Sequence, residues 1–291
     1  MSVTSCTTTW PAAVSERAES VLSAPTRTAT VLAAFPQALY LRLPDGRVLP
    51  VVSATGLRLP TAMVLATVVP TVGWGVQPGD EVAVGEGEVL LAGVRIRGVR
   101  TWRPLRVPGA ERPLDPGAVR ALGAWASRGW VEVARSLVTT VLTGQDVTRQ
   151  VSVTVGCGAG LTPSGDDVLC GALLALRLRG AAQASARLWS AVAPRLGATS
   201  SLSAALLTEA ADGYAVPAVV RLAEALAGGT ATAGAVVPAA REVAGIGHTS
   251  GADLLSGLVG GLSALRRDHD ATGPHTAVLH HVSTAHPGAC P

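Results

Sequence analysis

Lysine and asparagine are absent from this chain, so all 23 of its basic residues are arginine. Isoleucine occurs only at Ile96 and Ile246, and Phe35 is the only phenylalanine. The missing residues are those with AT-rich codons, a bias of a GC-rich genome rather than of function. The chemical consequences hold whatever the cause. Without lysine no Schiff base can form, which excludes pyridoxal-phosphate and aldolase-type catalysis. Without a phosphate-loop lysine a Walker-type nucleotide triphosphatase is excluded too. Long apolar runs are also missing. The longest apolar stretch free of charge, from Leu59 to Gly79, is broken by Pro60, Pro70, Gly73, Gly75 and Pro78, too often for a spanning helix. No membrane partner is expected.

Charge is scarce and nearly balanced, at 15% of residues and a net +3. The one basic stripe is Arg95, Arg97, Arg100, Arg103 and Arg106, with Trp102 among them. It reads as a solvated strand edge, and no nucleic-acid partner is expected. The four cysteines, Cys6, Cys157, Cys170 and Cys290, show no paired spacing, and the first twenty residues lack a basic region followed by an apolar core. A reduced, cytoplasmic setting follows.

At 291 residues and 48% hydrophobic, the chain has enough apolar material for one large or two ordinary domains. Residues 1–25 read as a flexible arm. Residues 26–110 read as a β module, with hairpins at 38–52 around Pro44-Asp45-Gly46 and at 80–91 around Gly85-Glu86-Gly87. Residues 111–268 read as a helical module, opened by Asp115 as N-cap and Pro116 behind it. Helices are expected at 167–179, 184–195, 201–211, 217–226, 238–243 and 253–267. Residues 269–291, which include His269, His275, His280, His281 and His286, read as a flexible tail. The expected fold class is α+β: an antiparallel barrel or sandwich, then an all-helical module with an internal pseudo-repeat.

That repeat is Ser164-Gly165-Asp166-Asp167-Val168-Leu169-Cys170-Gly171 against Ser250-Gly251-Ala252-Asp253-Leu254-Leu255-Ser256-Gly257, at a constant offset of 86 residues. Each copy follows a Gly-rich lead-in and opens an apolar helix. In the first, Gly156, Gly158 and Gly160 free the backbone for positive φ, and Thr162, Ser164 and Gly165 lead into the helix. Helix N-termini favour anions, so the loop suits phosphate or carboxylate. Asp166 and Asp167 would repel an anion unless they cap, bind a cation such as Mg²⁺, or handle a proton. Ser164 with Asp167 fits a capping box. Asp167 and Asp253 are therefore open to either a capping or a functional role. Asp166 is favoured as functional, since capping needs only one carboxylate. In the second copy His248, Thr249, Ser250 and Gly251 line the helix start, with His248 either structural or a proton-transfer group. A third hydroxyl-rich start is Thr199-Ser200. Three such ends in one cleft would form a small-anion site without lysine.

The segments Gly-x-Gly-x-Gly-Leu-Thr-Pro-Ser-Gly-Asp-Asp (156–167), Thr-Ser-x-x-Ser (199–203) and Gly-His-Thr-Ser-Gly-x-Asp-x-Leu-x-Gly (247–257) resemble the AllH-type family. Its namesake is a subunit of the oxamate carbamoyltransferase of allantoin and purine breakdown. The resemblance covers most of the chain, from about Thr26 through Arg267, and is specific in these three segments. It implies a part in carbamoyl transfer between oxalurate and phosphate, giving carbamoyl phosphate and oxamate, alongside other subunits. The ligand would be one of these small anions or a related acid. Catalytic candidates are Asp166, Asp167 and His248, with no assigned metal site. Two alternatives stand beside this: a non-catalytic scaffold or ligand-sensing subunit, and a metal-assisted hydrolase using Asp166, Asp167 and His248.

Overall fold

The structure is a computed structural model that describes residues 8–67, 69–110, 113–228 and 233–270. These fall into two compact units. Of the described residues, one unit holds those up to Arg106 together with Tyr214–Pro217, and the other holds those from Val107 to Gly213 and from Ala218 on.

The first unit is an eight-stranded closed barrel. Its strands are β1 (Thr8–Ser15), β2 (Arg27–Phe35), β3 (Ala38–Arg42), β4 (Val48–Val52), β5 (Met63–Leu65), β6 (Glu81–Gly85), β7 (Glu88–Leu91) and β8 (Val94–Trp102), in the order β1-β5-β4-β3-β2-β6-β7-β8. A one-turn helix, α1 (Glu19–Leu22), follows β1. Both expected hairpins form, with Arg42 opposite Val48 and Gly85 opposite Glu88. The second turns through Glu86 and Gly87, both at positive φ, as a tight hairpin of this twist requires. Leu39, Leu41, Leu49, Val51, Met63, Val84, Val89 and Ile96 are buried and fill the interior.

Three expectations are corrected here. The barrel is not purely antiparallel, because β1 runs parallel to β8 and β4 parallel to β5. The arm is not an arm from Thr8 onward, since β1 closes the barrel between β5 and β8. Pro11 and the consecutive burial of Ala12–Ser15 erase the alternation that would have announced a strand. The arginine stripe is not on an edge either, because β8 is paired on both sides. Its arginines Arg95, Arg97 and Arg100 are exposed on a closed barrel wall. Tyr214 also belongs to this unit, with the guanidinium carbons of Arg17 and Arg106 at 4.7 and 4.9 Å from its ring centre.

The second unit is helical. Its helices are α2 (Pro116–Leu122), α3 (Arg128–Leu142), α4 (Thr148–Thr154), α5 (Ser164–Leu178), α6 (Ala182–Val192), α7 (Ser201–Ala211), α8 (Pro217–Ala227), α9 (Ala233–Ala244) and α10 (Ser250–Asp270). Asp115 caps α2 as expected, accepting from the amides of Gly117 and Ala118 at 3.1 and 2.9 Å. Pro238 does not begin α9 but lies inside it. The tail from residue 271 lies outside the described residues, as do the first seven residues. Among the described residues no helix is long and apolar enough to cross a membrane.

Helices α5 and α10 form the centre of this unit, and glycine sets their approach. A Cβ at Gly171 would lie 2.1 Å from the Leu254 carbonyl oxygen, and one at Gly257 would lie 2.0 Å from that of Val168. These contacts are reciprocal, and both are to backbone. The helix starts are as close-fitted: a Cβ at Gly165 would meet the Thr154 carbonyl oxygen at 2.0 Å, and one at Gly251 that of Val243 at 1.9 Å. We therefore expect Gly171→Ala or Gly257→Ala to cost about 3 kcal/mol or more, since the backbones must part. Gly123→Ala, where a Cβ meets nothing within 4 Å, should be neutral or slightly stabilising. Urea unfolding of the three variants checks this; equal stability in all of them would contradict the close crossing.

Candidate functional site

The three hydroxyl-rich segments converge at the start of α5. Thr162 Oγ1 lies 2.8 Å from Ser250 Oγ, joining the lead-in of α5 to the first residue of α10. Thr199 donates its hydroxyl to Asp166 Oδ2. Ser200 donates to the Leu161 carbonyl at 2.5 Å and caps α7 by accepting from the Ser203 amide at 3.0 Å. Gly156, at φ +74, passes so near the Ala198 carbonyl that a Cβ would lie 2.6 Å from it. The glycine there admits a close backbone approach as well as a turn.

The adjacent carboxylates do different things. Asp166 is buried with both oxygens engaged, Oδ1 by the Gly156 amide at 2.9 Å and Oδ2 by Thr199. It ties the two ends of the Gly-rich loop to the turn before α7. Asp167 is buried at 6% exposure, and its Oδ2 has no hydrogen-bond partner. The capping box expected of Ser164 and Asp167 does not form: Pro163 is the N-cap, and no side chain caps the helix. Asp167 is instead hydrogen-bonded by Ser250 of the other helix and by Thr162. Burial pushes its pKa up to about 8. The hydrogen bonds from Ser250 and Thr162 oppose that rise, and the negative charges of Asp253 and Asp166 add to it. Asp253 occupies the matching place on α10, is also 6% exposed, and also has an Oδ2 without a partner. Burial likewise pushes the Cys170 thiol up, with Asp167 and Asp166 contributing.

The backbone amides expected to cradle an anion are largely occupied. Gly165 donates to the Cys157 carbonyl at 2.8 Å, Asp166 to Pro163 at 2.9 Å, Gly251 to Ile246 at 3.0 Å and Asp253 to Thr249 at 2.9 Å. Gly158 and Gly160, at φ +120 and +97, lie exposed at the tip of the loop with Ala159 between them. Ser164 is half-buried in the first turn of α5. His248 and Thr249 are exposed on the turn before α10, and no hydrogen bond fixes the imidazole. Two groups escape a motif-based reading. Ser203, one turn into α7, is 1% exposed with an unpartnered hydroxyl. Ser256 accepts from the Ser127 amide at 2.9 Å and so ties the start of α3 to α10. The third serine of 199–203 was visible in the sequence for the former; no local signal marks the latter.

Among the described residues no group of three His, Cys, Asp or Glu side chains is placed to hold a metal ion. Both Asp166 oxygens are engaged within the protein, by the Gly156 amide and the Thr199 hydroxyl.

Comparison with known families places a match on these elements. Residues 154–262 match the family model of the oxamate carbamoyltransferase subunit AllH. The matched segment contains all three converging starts and the three buried aspartates of the α5–α10 pair, Asp166, Asp167 and Asp253; the barrel strands lie outside it. No solved structure matches the chain.

The two aspartates should separate in stability measurements. Asp166→Ala leaves the Gly156 amide and the Thr199 hydroxyl without their acceptor, a loss of roughly 3 kcal/mol. Asp167 sits at about 8 in the folded chain against an ordinary 3.8, so between those values only the folded state holds its proton. Its contribution to stability is complete below about pH 4 and is lost as pH rises to about 8, on the order of 1.4 kcal/mol per pH unit. Asp167→Asn, which cannot ionise, should flatten that part of the profile. Urea unfolding between about pH 5 and about pH 8 reads both effects. Parallel profiles for the wild type and Asp167→Asn would show that Asp167 is already ionised.

Proposed function

We propose that this chain is a subunit of an oxamate carbamoyltransferase-type complex and that the paired starts of α5 and α10 hold its small anionic substrate. The observation that carries this reading is the coincidence of the family match at residues 154–262 with the convergence of Thr162, Asp167, Ser250 and Asp253. The repeat in sequence supports it too, because corresponding glycines and aspartates of the two copies meet across one helix pair. We read the two copies as a pseudo-twofold pair enclosing one site.

In the reaction, the carbamoyl carbon–nitrogen bond of oxalurate breaks and a carbon–oxygen bond to phosphate forms. The departing oxamate nitrogen takes up a proton. The reverse direction consumes carbamoyl phosphate and oxamate. Every participant is an anion, and the chain has no lysine to meet it. The groups available are the exposed backbone of Gly158–Gly160, the hydroxyls of Thr162, Ser164 and Ser250, and the favourable ends of two long helices. Asp166, Thr199 and Ser200 hold the loop in shape rather than meeting the ligand, since their polar atoms are engaged with one another and with backbone. His248 is exposed on the turn before α10, and in this reading it meets the ligand or a partner subunit. Those partners, and a cytoplasmic setting, belong to this reading.

The competing reading is a non-catalytic scaffold or ligand-sensing subunit, in which the same hydrogen bonds serve only to fix the helix starts. The metal-assisted hydrolase draws no support from the side-chain placement. Assay of the complex purified with its partner subunits separates them, using carbamoyl phosphate and oxamate as substrates. Thr162→Ala and Ser250→Ala should each lower turnover about tenfold, the worth of one hydrogen bond, while the complex stays assembled. Full activity in both variants would leave the scaffold reading.

A further inference from the structure

The site just described contains two buried carboxyl oxygens, Asp167 Oδ2 and Asp253 Oδ2, one from each helix, that accept no hydrogen bond among the described residues. A buried polar atom without a partner is costly, and a pair at corresponding places on two helices asks for a shared partner. We propose that this partner is the amide end of the ligand: Asp167 donates a hydrogen bond to its carbonyl oxygen while Asp253 accepts one from its –NH₂. The inference deepens the carbamoyltransferase reading and rests on it.

The argument is one of matching donors to acceptors. A primary amide presents one acceptor and one donor side by side, and so does a carboxylic acid beside a carboxylate. Two ionised carboxylates would offer acceptors alone and leave the carbonyl unpaired. The proton that completes the match is accounted for by the surroundings. Burial holds Asp167 protonated up to about pH 8, and the negative charge of Asp253 adds to that hold. The other groups acting there are Asp166 on the same helix and the hydroxyls of Thr162 and Ser250. On the remaining helices packed against α5, Glu132 and Arg135 of α3 pair with each other and Glu209 of α7 is a further buried acid. Arg149 of α4 is exposed, and Arg187 of α6 donates to the Val141 carbonyl. Asp166 is not part of the recognition, since both of its oxygens are engaged.

Recognition of this kind discriminates sharply, because an analogue lacking the donor leaves a buried acceptor unpaired. Pyruvate is the suitable probe: it has the charge and shape of oxamate, with –CH₃ in place of –NH₂. Calorimetric titration of both acids into the complex purified with its partner subunits should show oxamate bound at least tenfold tighter. Asp253→Ala should bring the two affinities together. Asp167→Ala should weaken both alike, since both carry the carbonyl, and leave their ratio in place. Oxamate affinity should fall as pH rises through about 8, where Asp167 loses its proton. Equal binding of oxamate and pyruvate by the wild type overturns the inference, whatever the variants do. So does a preference that survives Asp253→Ala. Failure of the complex to bind oxamate and carbamoyl phosphate at all would instead overturn the carbamoyltransferase reading beneath it.

Discussion

The helical unit is organised by a contact that contains no side chain. Where α5 and α10 cross, Gly171 and Gly257 face each other's neighbouring carbonyls, and a methyl group on either would overlap backbone. Two helices that approach this closely must keep their first turns together as well. Both glycines lie seven residues beyond their helix starts, and both aspartates, Asp167 and Asp253, lie four residues before the glycines. The pairing of the acids is thus a consequence of the crossing, as is the 2.8 Å contact between Thr162 and Ser250. The charge proximity this enforces is relieved by leaving a proton on Asp167 and by the hydroxyls around it.

Around that pair the loop residues divide the work by what their atoms have left to offer. Asp166, Thr199 and Ser200 consume their hydrogen-bonding capacity on the Gly-rich loop and the start of α7. A loop with glycines at 156, 158 and 160 would otherwise hold many conformations; two side-chain bonds from Thr199 and Ser200, with the bond from the Gly156 amide to Asp166, select one. Asp167 and Asp253 keep an oxygen each in reserve. Adjacent residues in the sequence, Asp166 and Asp167, therefore differ in role: one fixes the loop, and the other keeps a buried carboxyl oxygen without a partner.

The sequence disclosed the helices from α5 onward, the hairpins and the residues of the convergence, and it missed how they share labour. Period and punctuation suffice for β3, β4, β6 and β7, and apolar spacing for α5, α7, α8 and α10. β1 escaped because Pro11 and four consecutive buried residues carry no alternation, and its partner β8 lies some eighty residues away. The Ser-x-x-Asp pattern at 164–167 carried a local meaning, a capping box, that tertiary structure overrode: Asp167 turns to Ser250, 83 residues on. Likewise a pair of adjacent aspartates cannot reveal which one is satisfied, since Asp166 finds Thr199 only after folding. The glycines at 171 and 257 held a further message that the sequence reading did not extract: the two helices touch there.

The claim on which all of this depends is that two helix starts make a single ligand site. A crystal structure of the purified complex with oxamate tests it most directly. The account places the ligand beside the Thr162–Ser250 hydroxyl pair, with its amide against Asp167 and Asp253. Oxamate bound on another subunit or on the barrel, with the two aspartates unchanged and untouched, would contradict it.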